Sequence, residues 1–371
     1  MAPRFDITRV RLRNYKSIES CDVELGPLTL LVGPNGSGKS NFLDALQFVA
    51  DALNTNLENA IQERGGMAAL TYLDSDSFSV ELGFTSDGIV GSYAITVRGG
   101  SRIRLRVASE SCEFNGNWFR VEHGVISASH GVLVKDVPLD RLYLQVTGGA
   151  DRYETVFRGL ADARVFHLRP ETMVPPWRTN DASELRRDGA NVAHVLRLLE
   201  QEDSWAKERI DDYLSVIVAG QGGVFGRAFN SFETLHFRQS FPTEGEPREF
   251  DAASMSDGTL RAVGVLTALF SGTGVIGIEE PELALHPAAV GVLMDAIRDG
   301  ADRRQVLVTS HSSDLLDVPG IQRSEIVAVR FVDGKTVIGP LGPVGQKALE
   351  ESTVTAGELL RADHLQPRGD E

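Results

Sequence analysis

Cysteine is nearly absent from this 371-residue chain: Cys21 and Cys112 are the only two, far apart and without metal-ligand spacing. That excludes a disulfide framework and a thiolate metal site, and it points to reduced, structural thiols in a cytoplasmic protein. No apolar run approaches the roughly 20 residues of a membrane span, and the opening MAPRFDITRV lacks the apolar core of a signal peptide. No membrane partner is expected. Positive charge is in deficit, with 37 Lys and Arg against 52 Asp and Glu, a net charge of −15. This argues against a surface that coats nucleic acid through bulk electrostatics, while leaving room for a local basic patch. There is no internal repeat and no sustained heptad pattern, which excludes coiled-coil arms. What remains, 42% hydrophobic and 24% charged residues, suits one large α/β domain or two lobes with an ample core.

Against that background one stretch stands out. GPNGSGKS, Gly33 to Ser40, fits G-x-x-x-x-G-K-[ST] at every fixed position. The apolar run Leu28 to Val32 before it reads as a buried strand. After it, Phe42, Leu43, Leu46, Val49 and Leu53 recur at helical spacing. Strand, glycine-rich loop and helix together make a phosphate cradle, because backbone N–H groups converge in the loop and the helix adds its positive end. Lys39 would reach the outer phosphates and the Ser40 hydroxyl would hold Mg²⁺. Gly33, Pro34, Asn35, Gly36, Ser37, Gly38, Lys39, Ser40 and Asn41 form the candidate nucleotide-binding set.

Along the chain, two strands are expected within residues 5–25, with Arg9, Arg11, Arg13 and Lys16 forming a solvated strand edge or a wall beside a bound base. Residues 55–68 read as a polar connection. From about 73 to 158 the pattern becomes period-two alternation broken by Asp-Gly, Gly-Gly and Asn-Gly turns, which predicts antiparallel hairpins; GVLVKD and LYLQVT are included among the strands. Pro175-Pro176 marks a joint between lobes. Two helices follow, carrying Val192, Val195, Leu196 and Leu199, then Ile210, Tyr213, Leu214 and Ile217; the run 220–226 breaks their pattern, and strands follow around 233–241 and 247–254. The last third alternates helix and strand: an apolar helix capped by Ser256, a strand ending at Glu279-Glu280, an amphipathic helix, the strand QVLVTS ending at His311, a hairpin at Asp333-Gly334 and a helix over about 345–362. The predicted fold is α/β, with a mixed core sheet and an antiparallel β subdomain across 1–175 and 250–371, and a helical lobe across 176–249.

Three apolar strands therefore end in chemically loaded residues: the P-loop, Glu279-Glu280 and His311. In a doubly wound sheet the carboxyl ends of parallel strands share one crevice. A carboxylate there, opposite Lys39 and Ser40, suits Mg²⁺–nucleotide chemistry: Glu279 for the metal, Glu280 to orient and deprotonate water, and His311 near the γ-phosphate. The other histidines, among them His167, His194 and His236, show no ligand pattern and read as structural or surface residues.

In order and spacing, GPNGSGKS, MSDGT, VIGIEEPELALHP and VTSHSSDLLD resemble the ABC-type ATPases of the RecF, SMC and OLD branch, and the small stand-alone bacterial AAA-family ATPases within it. The likeness runs from the RNYKSIE opening to the last strand. It implies that Gly33 to Ser40 is the Walker A motif, Glu279 the Walker B acid, Glu280 the catalytic glutamate and His311 the switch histidine. Ser256, Asp257 and Gly258 fall at the signature motif, which in this family caps ATP bound by the other subunit and implies an ATP-sandwich homodimer. The sequence departs from the family by Glu279 where many relatives have Asp, by ALHP without the D-loop Asp, and by a Q-loop glutamine with no clear position; VFHLRPE occupies the closest region. With no arms and only 60 residues after His311, neither an SMC protein nor a TOPRIM nuclease domain is expected, so a nuclease or toxin effector would be a separate protein.

The resemblance implies an ATP-hydrolysing dimer switch in DNA repair or in antiviral defence against foreign DNA. A nucleotide-gated scaffold with negligible turnover, controlling a partner nuclease or toxin, is the alternative. A transporter subunit fits less well, since MSDGT departs from the LSGGQ pattern of transporter ATPases. For DNA, a basic stripe of Arg186, Arg187, Arg303 and Arg304 is one candidate surface, and solvated helix ends are the competing reading.

Overall fold

The computed structural model describes residues 4–100, 103–128, 140–148, 152–179, 183–218, 220–239, 247–351 and 354–368. The near-continuous apolar runs Leu28–Val32, Ile276–Glu279 and Val306–Ser310 lie inside a six-stranded sheet. Its order is Lys335–Pro340, Ile326–Val332, Leu28–Val32, Val306–Ser310, Ile276–Glu279, Arg164–Phe166. All neighbours pair in parallel except the terminal hairpin, so the core sheet is mixed, as expected. A parallel sheet must be covered on both faces. Leu31, Leu307, Val327 and Val329 face a cluster built with the P-loop helix Lys39–Asn54. Leu30, Val32, Ile278, Val308 and Ala328 face a second cluster with helices Asp257–Phe270 and Pro287–Arg303.

The alternating stretches form the expected antiparallel subdomain, a seven-stranded sheet ordered Ile18–Glu24, Phe5–Tyr15, Ser77–Ser86, Ile89–Gly100, Ile103–Phe114, Asn117–Glu122, Val125–Ala128. The stretch 131–136 lies outside the described residues. LYLQVT is corrected: Tyr143–Thr147 is a helix. Glu110, buried on Ile103–Phe114, accepts hydrogen bonds from the backbone N–H groups of Tyr143 and Leu144 and from the Tyr93 hydroxyl. A carboxylate 33 residues upstream thus satisfies the helix start, and no local pattern reports such a cap. The connection at 55–68 likewise contains two short helices, Leu57–Gln62 and Met67–Leu70.

Between residues 176 and 249, helices Val192–Glu202 and Ser204–Ile217 pack on a small sheet of Trp177–Arg178, Gln221–Phe229, Phe232–Gln239 and Arg248–Asp251. The glycine-rich break at 220–226 in fact opens a strand. Gly226 is required there, since a Cβ would lie 1.9 Å from the Ala193 carbonyl oxygen. The tail helix is two helices, Pro343–Glu350 and Ala356–Arg361. Among the described residues no helix is long and apolar enough to cross a membrane.

Burial pushes the Glu110 carboxyl up from 4.5 to about 7, against the hydrogen bonds from Leu144, Tyr143 and Tyr93 that favour its charge. Its folded pKa exceeds its unfolded one, so the stability it confers is complete below about 4.5 and is lost as pH rises through about 7. Relative to Glu110→Gln, the native chain should lose on the order of 3 kcal/mol between those limits. Urea unfolding of both proteins across this range measures it, and a difference independent of pH would contradict the assignment.

Candidate nucleotide-binding site

Gly36 and Gly38 adopt φ of +77° and +105°, the left-handed region that glycine enters without strain. Space is also limiting. A Cβ on Gly38 would lie 2.1 Å from the Thr336 hydroxyl, and one on Gly33 would lie 1.9 Å from the Val329 carbonyl oxygen. The loop is braced from outside by the terminal hairpin, with the Thr336 hydroxyl donating to the Ser37 carbonyl at 2.9 Å. Lys39 is buried and folded onto the loop, its ammonium donating to the carbonyls of Gly33 and Pro34 at 2.7 and 2.8 Å. Burial lowers its pKa, while Glu280, Glu282 and Glu279 oppose the shift. The Ser37 hydroxyl is buried with no hydrogen-bond partner, an orphan polar group within the loop. Asn41 turns elsewhere: its amide donates to Ser17 at 2.7 Å.

Glu279 ends its strand with a carboxylate hydrogen-bonded by Ser40 and, at 2.7 Å, by His167 Nδ1. Burial raises its pKa, but the bonds from His167 and Ser40 outweigh that and hold the carboxyl below its usual range. A hydroxyl and a carboxylate meeting at one point are hard oxygen donors suited to Mg²⁺. Among the described residues no group of three or more His, Cys, Asp or Glu is placed to hold a metal ion, so a cation here would draw its remaining ligands from phosphate and water.

Glu280 follows in a left-handed conformation, φ +46°, unusual for a residue with a Cβ and the kind of strain that collects at functional sites. Its N–H is held by the carbonyl and hydroxyl of Thr309 at 3.0 and 3.3 Å. The side chain then meets His311, Oε1 to Nδ1 at 3.0 Å. Glu282, on the same turn, is buried; Ser310 donates to its Oε1 at 2.5 Å, and burial raises its pKa against that bond. The structure therefore brings Ser40, Glu279, Glu280 and His311 to one edge of the sheet. Ser256 caps the helix Asp257–Phe270, its hydroxyl accepting from Thr259 N–H. Ser256 and Asp257 are exposed, while a Cβ on Gly258 would lie 2.3 Å from the Ala284 carbonyl oxygen.

His167 is exposed, as expected of a surface histidine, yet it follows the strand Arg164–Phe166 and faces Glu279. The rule that selected His311, a polar residue ending a buried parallel strand, also describes His167. The basic stripe is not assembled. Arg304 is 4% exposed and donates to the carbonyls of Gly274, Ala268 and Ser271. Arg187 pairs with Asp51 on the P-loop helix, and Arg186 and Arg303 lie over Trp177 and Trp205. His194, in contrast, is structural as expected, buried against Glu233 at 2.7 Å.

Strand, P-loop, helix and an acid-ended strand two places along the same sheet define a P-loop nucleotide-binding head. Residues 6–102 match the family described as AAA ATPase domain, and residues 151–317 an AAA-domain family whose description refers to the AbiEii toxin of a type IV TA system. The chain is 22% identical to the OLD nuclease of Thermus scotoductus over 93% of its own length and 66% of that protein's. It is 39% identical to the DNA replication and repair protein RecF of Corynebacterium jeikeium over 16% of the chain and 15% of RecF. To structural maintenance of chromosomes protein 1 of Arabidopsis thaliana it is 32% identical over 56% of the chain and 19% of that protein. The chain thus spans just under two thirds of the OLD nuclease and under a fifth of the other two. In fold it is similar to an Smc head bound to the C-winged helix domain of ScpA, with a TM-score of 0.58, 14% identity, and 93% of this chain and 99% of that one covered. It is also similar to the Pyrococcus furiosus Smc head with an extended coiled coil, with a TM-score of 0.55, 13% identity, and 94% and 100% covered. These matches together support an ABC-type ATPase of the RecF, SMC and OLD branch.

Its hydrogen bond to Glu279 raises the His167 pKa above the ordinary 6.5, against a smaller burial penalty. This pair stabilises fully between about 4.5 and about 6.5; its contribution fades as pH rises through the raised His167 value and as pH falls through the lowered Glu279 value. Glu279→Gln should therefore move the His167 titration down, followed by NMR of the imidazole C–H signals. An unchanged midpoint would contradict the pairing.

Proposed function

We propose that the chain binds and hydrolyses Mg²⁺–ATP, and that two copies close around the nucleotide as a switch. The observation that carries this reading is the meeting of Ser40, Glu279, Glu280 and His311 at the ends of three adjacent parallel strands. Lys39, held by two loop carbonyls, exchanges them for phosphate oxygens, and the Ser37 hydroxyl finds its partner there. Ser40 and Glu279 would hold Mg²⁺, which when bound would offset the phosphate charge. Glu280 takes the proton from the attacking water, for which its Oε1 must leave His311. His311, released from that pair, faces the γ-phosphate. The exposed N-terminus of the helix Asp257–Phe270, with Ser256 and Gly258, supplies N–H groups and a hydroxyl to the nucleotide of the second copy.

We place the switch in DNA repair or in defence against foreign DNA, acting on a nuclease or toxin carried by another polypeptide. Similarity to an OLD nuclease, to RecF and to a family whose description names a toxin supports that setting. The same pairing of Glu280 with His311 favours slow turnover, since the base is occupied before nucleotide arrives, and a nucleotide-gated scaffold is the limit of that behaviour.

Glu280→Gln should bind ATP without consuming it. Light scattering of this variant is expected to give 40.3 kDa without nucleotide and twice that mass with Mg²⁺–ATP. A monomer under both conditions, with ATP binding verified, would overturn the autonomous dimer. A constant oligomer would favour the scaffold.

A further inference from the structure

We propose that Glu282 is a positioning residue of this site: through Ser310 it fixes the strand end from which His311 projects. The inference rests on the hydrolytic roles given above to Glu280 and His311.

The acidic turn spreads its three carboxylates over three different tasks. Glu279 meets Ser40 and His167, and Glu280 meets His311. Glu282 turns into the protein, 7% exposed, and accepts the Ser310 hydroxyl proton at 2.5 Å through Oε1, while its Oε2 is buried with no hydrogen-bond partner. A carboxylate half satisfied in the interior is costly to keep. An aliphatic side chain of similar volume would fill the space without that cost, so packing alone does not account for the residue.

Ser310 is what the carboxylate holds, and Ser310 is a junction. It is completely buried. Its carbonyl accepts the N–H of Gly33, the first residue of the P-loop, at 3.3 Å. Its hydroxyl, besides donating to Glu282, accepts the N–H of Ser312 at 2.9 Å. Ser312 in turn caps the short helix Ser313–Leu316. His311 is therefore bracketed by two residues whose polar groups are committed, and the direction of that bracket is set by Glu282. With the backbone fixed, His311 can leave Glu280 by turning its side chain alone, and it keeps its distance from the P-loop as it does so. Loosening the bracket should impair the chemical step and leave nucleotide affinity, which depends on residues 33–40, unchanged.

The test compares Glu282→Gln, Glu282→Leu, Ser310→Ala and the double variant Glu282→Leu/Ser310→Ala in the full chain. Turnover, binding of a fluorescent ATP analogue and hydrogen–deuterium exchange are measured for each. Gln retains an acceptor for Ser310 and should stay within about threefold of native turnover. Leu fills the volume without accepting, and should lower turnover by about 10- to 100-fold at unchanged affinity, as should Ser310→Ala. Because the bond lost in Glu282→Leu is one of the two lost in Ser310→Ala, the double variant should be no slower than Ser310→Ala alone. The peptide spanning 311–316 should exchange faster in Glu282→Leu, Ser310→Ala and the double variant, and not in Glu282→Gln. Multiplying effects, a parallel loss of nucleotide affinity, Gln behaving like Leu, or unchanged exchange would each overturn the proposal. Absence of turnover in the native chain would instead defeat the hydrolytic reading, and the exchange comparison would still decide whether Glu282 holds this segment.

Discussion

The register of four parallel strands is the constraint on which the site depends. Glu279 pairs with Thr309, Thr309 with Leu31, and Ser310 with Val32. On the other side Phe166 pairs with Ile278, so the next residue, His167, arrives beside Glu279. Three of the strands are buried and mostly apolar along their length, and the register brings the residues at their carboxyl ends into one row. A one-residue slip would send alternate side chains to the wrong face of a sheet that is covered on both sides. The cost of such a slip in buried area is what fixes the spacing of the polar row. Local devices then refine it: the left-handed turn at Glu280, tied to Thr309, and the contact of Gly258 with the turn at Ala284.

Within this row the charged groups Lys39, Glu279, Glu280 and His311 are each partnered close by. Lys39 bonds to its own loop and Glu280 bonds to His311. Nucleotide binding in this account is an exchange of partners rather than the filling of an open charged hole. The two lobes are joined at the same place, since Arg187 reaches Asp51 on the P-loop helix and its carbonyl accepts the N–H of His167. Displacement at Glu279 is thereby in contact with the segment leading to the second lobe.

Much of this was legible before any coordinates, because the signals were local and dense. The P-loop needs particular glycines at particular spacing, and the buried strands announce themselves as apolar runs. What could not be read depended on partners distant in sequence. The helix at 143–147 exists because Glu110 satisfies its first N–H groups, and an alternating apolar stretch gives no sign of that. Arg304 looks like a surface arginine beside Arg303, but its guanidinium serves three carbonyls at the end of another helix. His167 could have been found by applying the strand-end rule to Arg164–Phe166. Glu282 could not, because only the register reveals that it faces Ser310.

The most direct test of the central claim is rapid mixing of ATP and Mg²⁺ with the native chain and with Glu280→Gln, recording phosphate release and bound nucleotide together. If Glu280 activates water at a site built by this register, the variant binds ATP as the native chain does and releases phosphate at least about 100-fold more slowly. Equal release rates at equal occupancy would show that Glu280 is not the base, and the roles assigned along the row would have to be drawn again.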